Sequence, residues 1–103
     1  MIKETVYDKI RGWAGKRNLI NGSDSTKQML KLTEEVGEIA AAVARNNRSE
    51  VIDGIGDAVV VLTILASQHN MYIEDCVDVA YETIKDRKGK MVDGVFIKEE
   101  DTV

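Results

Sequence analysis

The chain has no proline, one cysteine, one histidine and only 5% aromatic residues among its 103 positions. Each scarcity excludes something. A lone Cys76 cannot close an internal disulfide, and with His69 as the sole imidazole no thiolate or histidine metal site can be assembled. Any metal must be held by oxygen. Strands favour aromatic side chains and their turns favour proline, so the shortage of both leans toward helices and away from a β-sandwich. The longest apolar run, "AVVVLTILA" at 58–66, falls well short of the ~20 residues a membrane helix requires. The N-terminus carries the mixed charge of a helix, not the pattern of a signal peptide. A soluble, cytoplasmic protein with no membrane partner is expected. Cations are outnumbered, Lys plus Arg 14 against Asp plus Glu 18 for a net charge of −4, which argues against binding a nucleic acid polymer through its phosphates. A chain this short buries roughly 60–65% of its unfolded surface, enough for one core. A single domain over residues 1–103 is the simplest expectation.

What is present is helical periodicity. Between Thr5 and Arg17, apolar Val6, Ile10, Trp13 and Ala14 recur on one face. "NLINGSDST" interrupts the pattern, and Ser25 with Gln28 three residues on forms a capping-box signal for a second helix reaching about Ala44. Its apolar line, Met29, Leu32, Val36, Ile39 and Val43, alternates steps of three and four as in a helix-bundle seam. "RNNRS" at 45–49 reads as a short loop to an antiparallel neighbour. The third helix, Glu50 to about His69, continues a line through Ile52, Ile55, Val59, Leu62 and Ala66. "AVVVLTIL" also suits a buried strand, but the line runs longer than strands usually do. Apolar on every side toward its end, this helix needs cover all round, and a second subunit would supply it. The fourth segment, Ile73 to Lys88, places Ile73, Val77, Ala80 and Ile84 on one face and closes at Gly89. "KMVDGVFIK" sets Asp93-Gly94 between apolar pairs, a hairpin signal, and "EEDTV" reads as a frayed end. The expected fold is all-α, a four-helix bundle with a short C-terminal β-hairpin, assembled as a dimer or tetramer.

Three acids interrupt the second helix. In "KLTEEVGEIAAAV", Glu34, Glu35 and Glu38 are followed by apolar residues that offer no cation. At 100° per residue, Glu38 lies about 40° from Glu34 and about 60° from Glu35, so the three converge within one turn. Glu50, Asp53 and Asp57 repeat the arrangement on the next helix. Antiparallel packing would let the two sets face each other across a groove. Carboxylates sharing a site raise one another's pKa unless a cation sits between them. Oxygen ligands without His or Cys specify Mg²⁺ or Mn²⁺, which keep waters and recruit phosphate-bearing substrates. The competing reading is a pair of solvated helix faces, and spacing alone does not separate the two.

"EEVGE" followed by "DGIGDAVVVLTIL" resembles the E-E-x-x-E and E-x-x-D signature of the MazG-like, all-α nucleoside triphosphate pyrophosphohydrolases. "YETIKDRKGKMVDGVFIKEED" resembles small single-domain members, several of them phage-encoded, and the likeness runs from "WAGKRNLI" to "FIKEE". The resemblance implies a four-helix arrangement assembled as dimers or dimers of dimers. It implies Mg²⁺-dependent cleavage of an NTP or dNTP between the α and β phosphates, giving the monophosphate and pyrophosphate. By the same likeness Glu34, Glu35, Glu38 and Asp57 match the metal-holding positions, whereas Gly54 stands where a Glu is expected. Asp53 or Glu50 is then the local candidate for the missing ligand. Glu35 or Glu38 is the candidate to accept the proton of the attacking water, and spacing does not choose between them.

Lys85, Arg87, Lys88 and Lys90 follow the fourth helix, where cations also suit the helix dipole. The resemblance favours Lys85 as a phosphate grip, with Arg87 and Lys88 beside it and Lys31 a weaker candidate. Trp13 reads both as core and as a ring stacked on a base, and the resemblance implies a Trp near the nucleotide pocket. His69 reads as a cap or surface residue, Cys76 and the methionines as packing. Two alternatives stand beside the enzyme: a catalytically weakened nucleotide- or metal-binding module that lost a motif Glu at Gly54, and a plain helical oligomerisation domain.

Overall fold

A computed structural model describes residues 2–101 as four helices and a hairpin. In order these are α1 (Val6–Lys16), α2 (Ser25–Ala44), α3 (Arg48–Gln68), α4 (Ile73–Ile84), β1 (Gly89–Val92), β2 (Val95–Lys98) and a 3-10 turn at Glu99–Asp101. Thr102 and Val103, the end of the expected frayed tail, lie outside the described residues. The chain divides into two compact units, one through Ile73 and one from Glu74.

Each helix of the first unit starts on a side-chain cap. Thr5 and Asp8 close a capping box on α1, with Thr5 N–H donating to Asp8 Oδ2 at 2.9 Å and Asp8 N–H to Thr5 Oγ1 at 3.2 Å. Those bonds, first the backbone one and then the Arg11 guanidinium, hold the Asp8 carboxyl down at about 2. The cap of α2 is Asp24, not Ser25: Asp24 Oδ1 accepts from Lys27 N–H at 2.8 Å. Ser25 is the first helical residue and reaches His69 Nε2 at 2.9 Å, while Gln28 turns back to Ser23 Oγ. Asp24→Ala should therefore cost about 1 kcal/mol in urea denaturation, and Ser25→Ala clearly less.

The stops are uniform. Asn18, Asn46 and Asn70 adopt φ of 57°, 54° and 58°, each just beyond the last cap residue. The next N–H bonds back across the final turn, Leu19 to Ala14 O, Asn47 to Ala42 O and Met71 to Ala66 O. This left-handed ending satisfies orphan carbonyls, and asparagine tolerates it better than any non-glycine residue but a few. It cuts the α2–α3 connection to residues 45–47 and sends α3 back along α2.

Within this unit α2 packs on α3, and α1 packs on α3. Ala14, Ala42, Val61 and Ile64 are buried, and buried Thr63 returns its hydroxyl to Val59 O at 2.7 Å. The two helices α2 and α3 approach closely at Gly54: a Cβ there would meet Ile39 Cγ1 at 2.7 Å, closer than a side chain at that position allows without a shift.

The apolar lines read as core are only partly so. Leu32, Ile39 and Val59 are half-buried and Ala66 is buried, but Met29, Val36, Val43, Ile52 and Ile55 are exposed. In "AVVVLTILA", by contrast, only Leu62 is exposed, at 37%. Within α2 and α3 the open apolar surface thus lies on α2 and early α3, not on the run that looked most in need of cover. Met29, Met71, Met91 and Cys76 are exposed too, which corrects their reading as packing.

In the second unit α4 ends at Ile84, four residues before Lys88, because Lys85 and Arg87 N–H groups close a turn onto Tyr81 O and Ile84 O. Gly89 opens β1 instead of closing the helix. The hairpin pairs Gly89 with Lys98 and Val92 with Val95 across Asp93 and Gly94, whose φ of 49° and 80° make the expected two-residue turn.

Candidate functional site

Antiparallel α2 and α3 bound a groove of about 620 Å³ lined by Glu34, Gly37, Glu38, Ala41, Arg45, Glu50, Asp53, Gly54 and Asp57. The residues from α2 recur at steps of three and four, one helical stripe, and so do those from α3. Two small residues, Gly37 and Ala41, keep the α2 wall low between Glu34, Glu38 and Arg45. The expected facing of the two acid sets is therefore present: Glu34 and Glu38 on one wall, Glu50, Asp53 and Asp57 on the other.

Glu35 is placed differently. It is 4% exposed and does not line the groove. Lys31, one turn earlier, holds Glu35 Oε1 at 3.2 Å and Glu34 Oε1 at 3.5 Å. These contacts raise the Lys31 ammonium pKa, the Glu35 hydrogen bond first and the Glu34 charge next. The cluster thus has a counter-charge, on the side of the helix preceding the acids. Lys31, a candidate phosphate grip, is engaged by two carboxylates.

One carboxylate oxygen is left over. Glu35 Oε2 is buried with no hydrogen-bond partner among the described residues, a costly state for a charged group. Its neighbour registers the charge: the Glu38 carboxyl is raised above its ordinary value chiefly by Glu35, then by slight desolvation and Glu34, against the pull of Lys31. A cation near Glu38 would relieve both. The donor set is oxygen throughout and fits Mg²⁺ or Mn²⁺ in chemistry. Among the described residues no three Asp, Glu, His or Cys side chains are already gathered into an ion-holding group. Glu34, Glu38, Asp53 and Asp57 are exposed and retain the rotamer freedom to turn inward.

Gly54, where the resemblance led a Glu to be expected, faces Ile39 of the opposing helix. Asp53 and Glu50 both line the groove, so either can stand in for the missing carboxylate. Arg45 also lines it, a residue that read in sequence as loop. The available signal was its spacing, seven residues beyond Glu38 and hence nearly in line with it along α2.

The remaining candidates are carried by other elements. Trp13, on α1, is 45% exposed and carries the Arg17 guanidinium over its ring at 4.6 Å, so it is not core. In the second unit Lys85 pairs with Glu82 at 2.7 Å, Arg87 is exposed, and Lys88 lines a shallow depression with Gly89, Lys90 and Glu99. His69 caps α3, as expected of it.

No helix among the described residues is long and apolar enough to cross a membrane. No solved structure matches the chain. An uncharacterized 18.2 kDa protein in the rep-hol intergenic region of Haemophilus phage HP1 is 42% identical over 68 residues, 66% of this chain and 42% of that protein's own length. The profile of the MazG nucleotide pyrophosphohydrolase domain matches residues 23–92. That span contains both walls of the groove and leaves out α1 with Trp13. By a match over more than half its length, covering every carboxylate that lines the groove, the chain belongs to the MazG nucleotide pyrophosphohydrolase domain family.

Proposed function

We propose that this protein hydrolyses a nucleoside triphosphate, ribo or deoxy, between the α and β phosphates, releasing the monophosphate and pyrophosphate. The observation that carries the reading is the groove itself, whose two walls present carboxylates and lie within the residues the family profile matches. Glu34, Glu38, Asp53 and Asp57 would hold Mg²⁺ or Mn²⁺, with buried Glu35 behind Glu38. When bound, such ions neutralise phosphate charge and lower the pKa of a coordinated water. Glu38 lines the groove, whereas Glu35 is buried outside it with its carboxylate tied to Lys31, so Glu38 is the better placed proton acceptor. A water in the groove would attack the α phosphorus and give its proton to Glu38, while the bond from the α phosphorus to the bridging oxygen breaks and that oxygen leaves with pyrophosphate.

Binding is separable from turnover. Mg²⁺ together with a triphosphate whose α,β bridge is a methylene should raise the melting temperature more than either alone. No shift from the pair would remove the substrate from the groove. A second reading, a binding module with weak turnover, is favoured by Gly54: the motif's Glu position is packed against Ile39 and offers no carboxylate.

Assembly belongs to the same proposal. Met29, Val36 and Val43, seven residues apart, make one exposed apolar stripe on α2, and exposed Ile52, Ile55 and Leu62 lie on α3. Burying these surfaces against a second copy would give a dimer or, by repetition, a tetramer. Light scattering at micromolar concentration should return at least twice the 11.4 kDa chain mass; a stable folded monomer would rule the assembly out.

A further inference from the structure

Arg45 stands alone among the groove's lining residues in carrying positive charge, and the other five charged residues there are carboxylates. A substrate with several phosphate charges meets repulsion from all five. Divalent ions can offset it where the acids cluster, but the phosphate chain extends beyond any one ion. Arg45 lies seven residues past Glu38, about 20° off its line and about 10.5 Å further along α2. A guanidinium reaching back from that point covers the distance to the outer phosphates of a chain whose inner phosphate lies near Glu38.

Two features of the residue support the assignment. Its backbone is fixed as the C-cap of α2, with its N–H bonded to Ala41 O and Val43 O, so the stem of the side chain starts from a defined place. Its guanidinium makes no ion pair among the described residues, although Glu50 lines the same groove five residues on. Arg11, Lys27, Lys31 and Lys85 each pair with an acid on their own helix or its cap. A helix-end cation needs no groove to serve the dipole. One that borders an acid-lined groove and is bound to none of its acids is free to take an anion, and a guanidinium binds phosphate oxygens in pairs.

We propose that Arg45 grips the outer phosphates of the substrate and makes the groove select a triphosphate over a monophosphate. This rests on the nucleotide reading of the groove given above. Calorimetric titration with Mg²⁺ and the α,β-methylene triphosphate, and separately with the monophosphate of the same nucleoside, tests it in wild type, Arg45→Gln and Arg45→Lys. The expected result is a loss of at least ~10-fold in triphosphate affinity for Arg45→Gln, a change within ~2-fold for the monophosphate, and partial recovery in Arg45→Lys, which keeps the charge but not the fork. Equal losses for both ligands would overturn the assignment by placing Arg45 on the nucleoside or inner phosphate. No loss for either would reduce it to a helix-end cation. Wild-type protein that binds no triphosphate would overturn the groove's nucleotide reading itself, an outcome distinct from the other two. Circular dichroism of each variant confirms that the exposed substitution leaves the helices intact.

Discussion

Glu38→Gln is expected to lower turnover at least ~100-fold, because it removes both a metal-facing charge and the proton acceptor while keeping the side chain's size. The same substitution should make the metal-free protein more stable. The folded-state pKa of Glu38 is raised, principally by Glu35. An acid whose pKa is raised on folding favours the folded state while protonated, below its ordinary value, and loses that contribution as pH rises through the raised value. At neutral pH its charge is therefore a liability that Gln removes. The wild type should lose stability as pH rises from about 4.5 upward through this window, and Glu38→Gln should lose less. Glu35→Gln should behave differently: it removes the negative charge that Lys31 pairs with on a 4%-exposed side chain and should destabilise the protein at neutral pH. Melting curves of the two variants across pH, with turnover beside them, separate a catalytic from a packing role. Retained turnover in Glu38→Gln would return it to a solvated face.

The second large effect is at Gly54. Gly54→Glu restores the motif residue, yet its Cβ would fall 2.7 Å from Ile39 Cγ1. Ile39 is β-branched and stiff, so relief requires the helices to part. Overpacking of this kind costs about 1–3 kcal/mol, of which the better helix propensity of Glu returns well under 1. A fall in melting temperature of roughly 4–8 °C per net kcal/mol is expected, with no gain in activity. Asp53→Asn should raise the Mg²⁺ concentration for half-activation at least ~10-fold, and Glu50→Gln less, since Asp53 lies one turn from Asp57 and Glu50 two. If Glu50→Gln is the more damaging, the stand-in ligand lies a turn earlier. If Gly54→Glu turns a near-inactive protein into an active one, the natural chain is a binding module.

The helices were legible because apolar residues at steps of three and four mark them, the antiparallel pairing of α2 and α3 because their connection is short, and the hairpin because Asp93-Gly94 demands positive φ. The ends of the first three helices were read to within a residue, but not what sets them, since Asn18, Asn46 and Asn70 act through backbone conformation and not through hydropathy. The core lines were half right for a related reason. Periodicity marks an apolar face but does not say whether it meets a helix of the same chain, as Ile39 does at Gly54, or is left exposed, as Val36 is. In the site, the facing of the acids followed from spacing. The burial of Glu35 beside Lys31 did not, because 60° of rotation separates a groove residue from a buried one, and spacing alone does not set where the neighbouring helix sits.

Phosphorus NMR of the reaction mixture tests the central claim most directly, with Mg²⁺ and a panel of ribo- and deoxynucleoside triphosphates. The expected products are the nucleoside monophosphate and pyrophosphate, absent when the metal is chelated and nearly absent with Glu38→Gln. A diphosphate with inorganic phosphate, or no turnover of any triphosphate by the wild type, would contradict it.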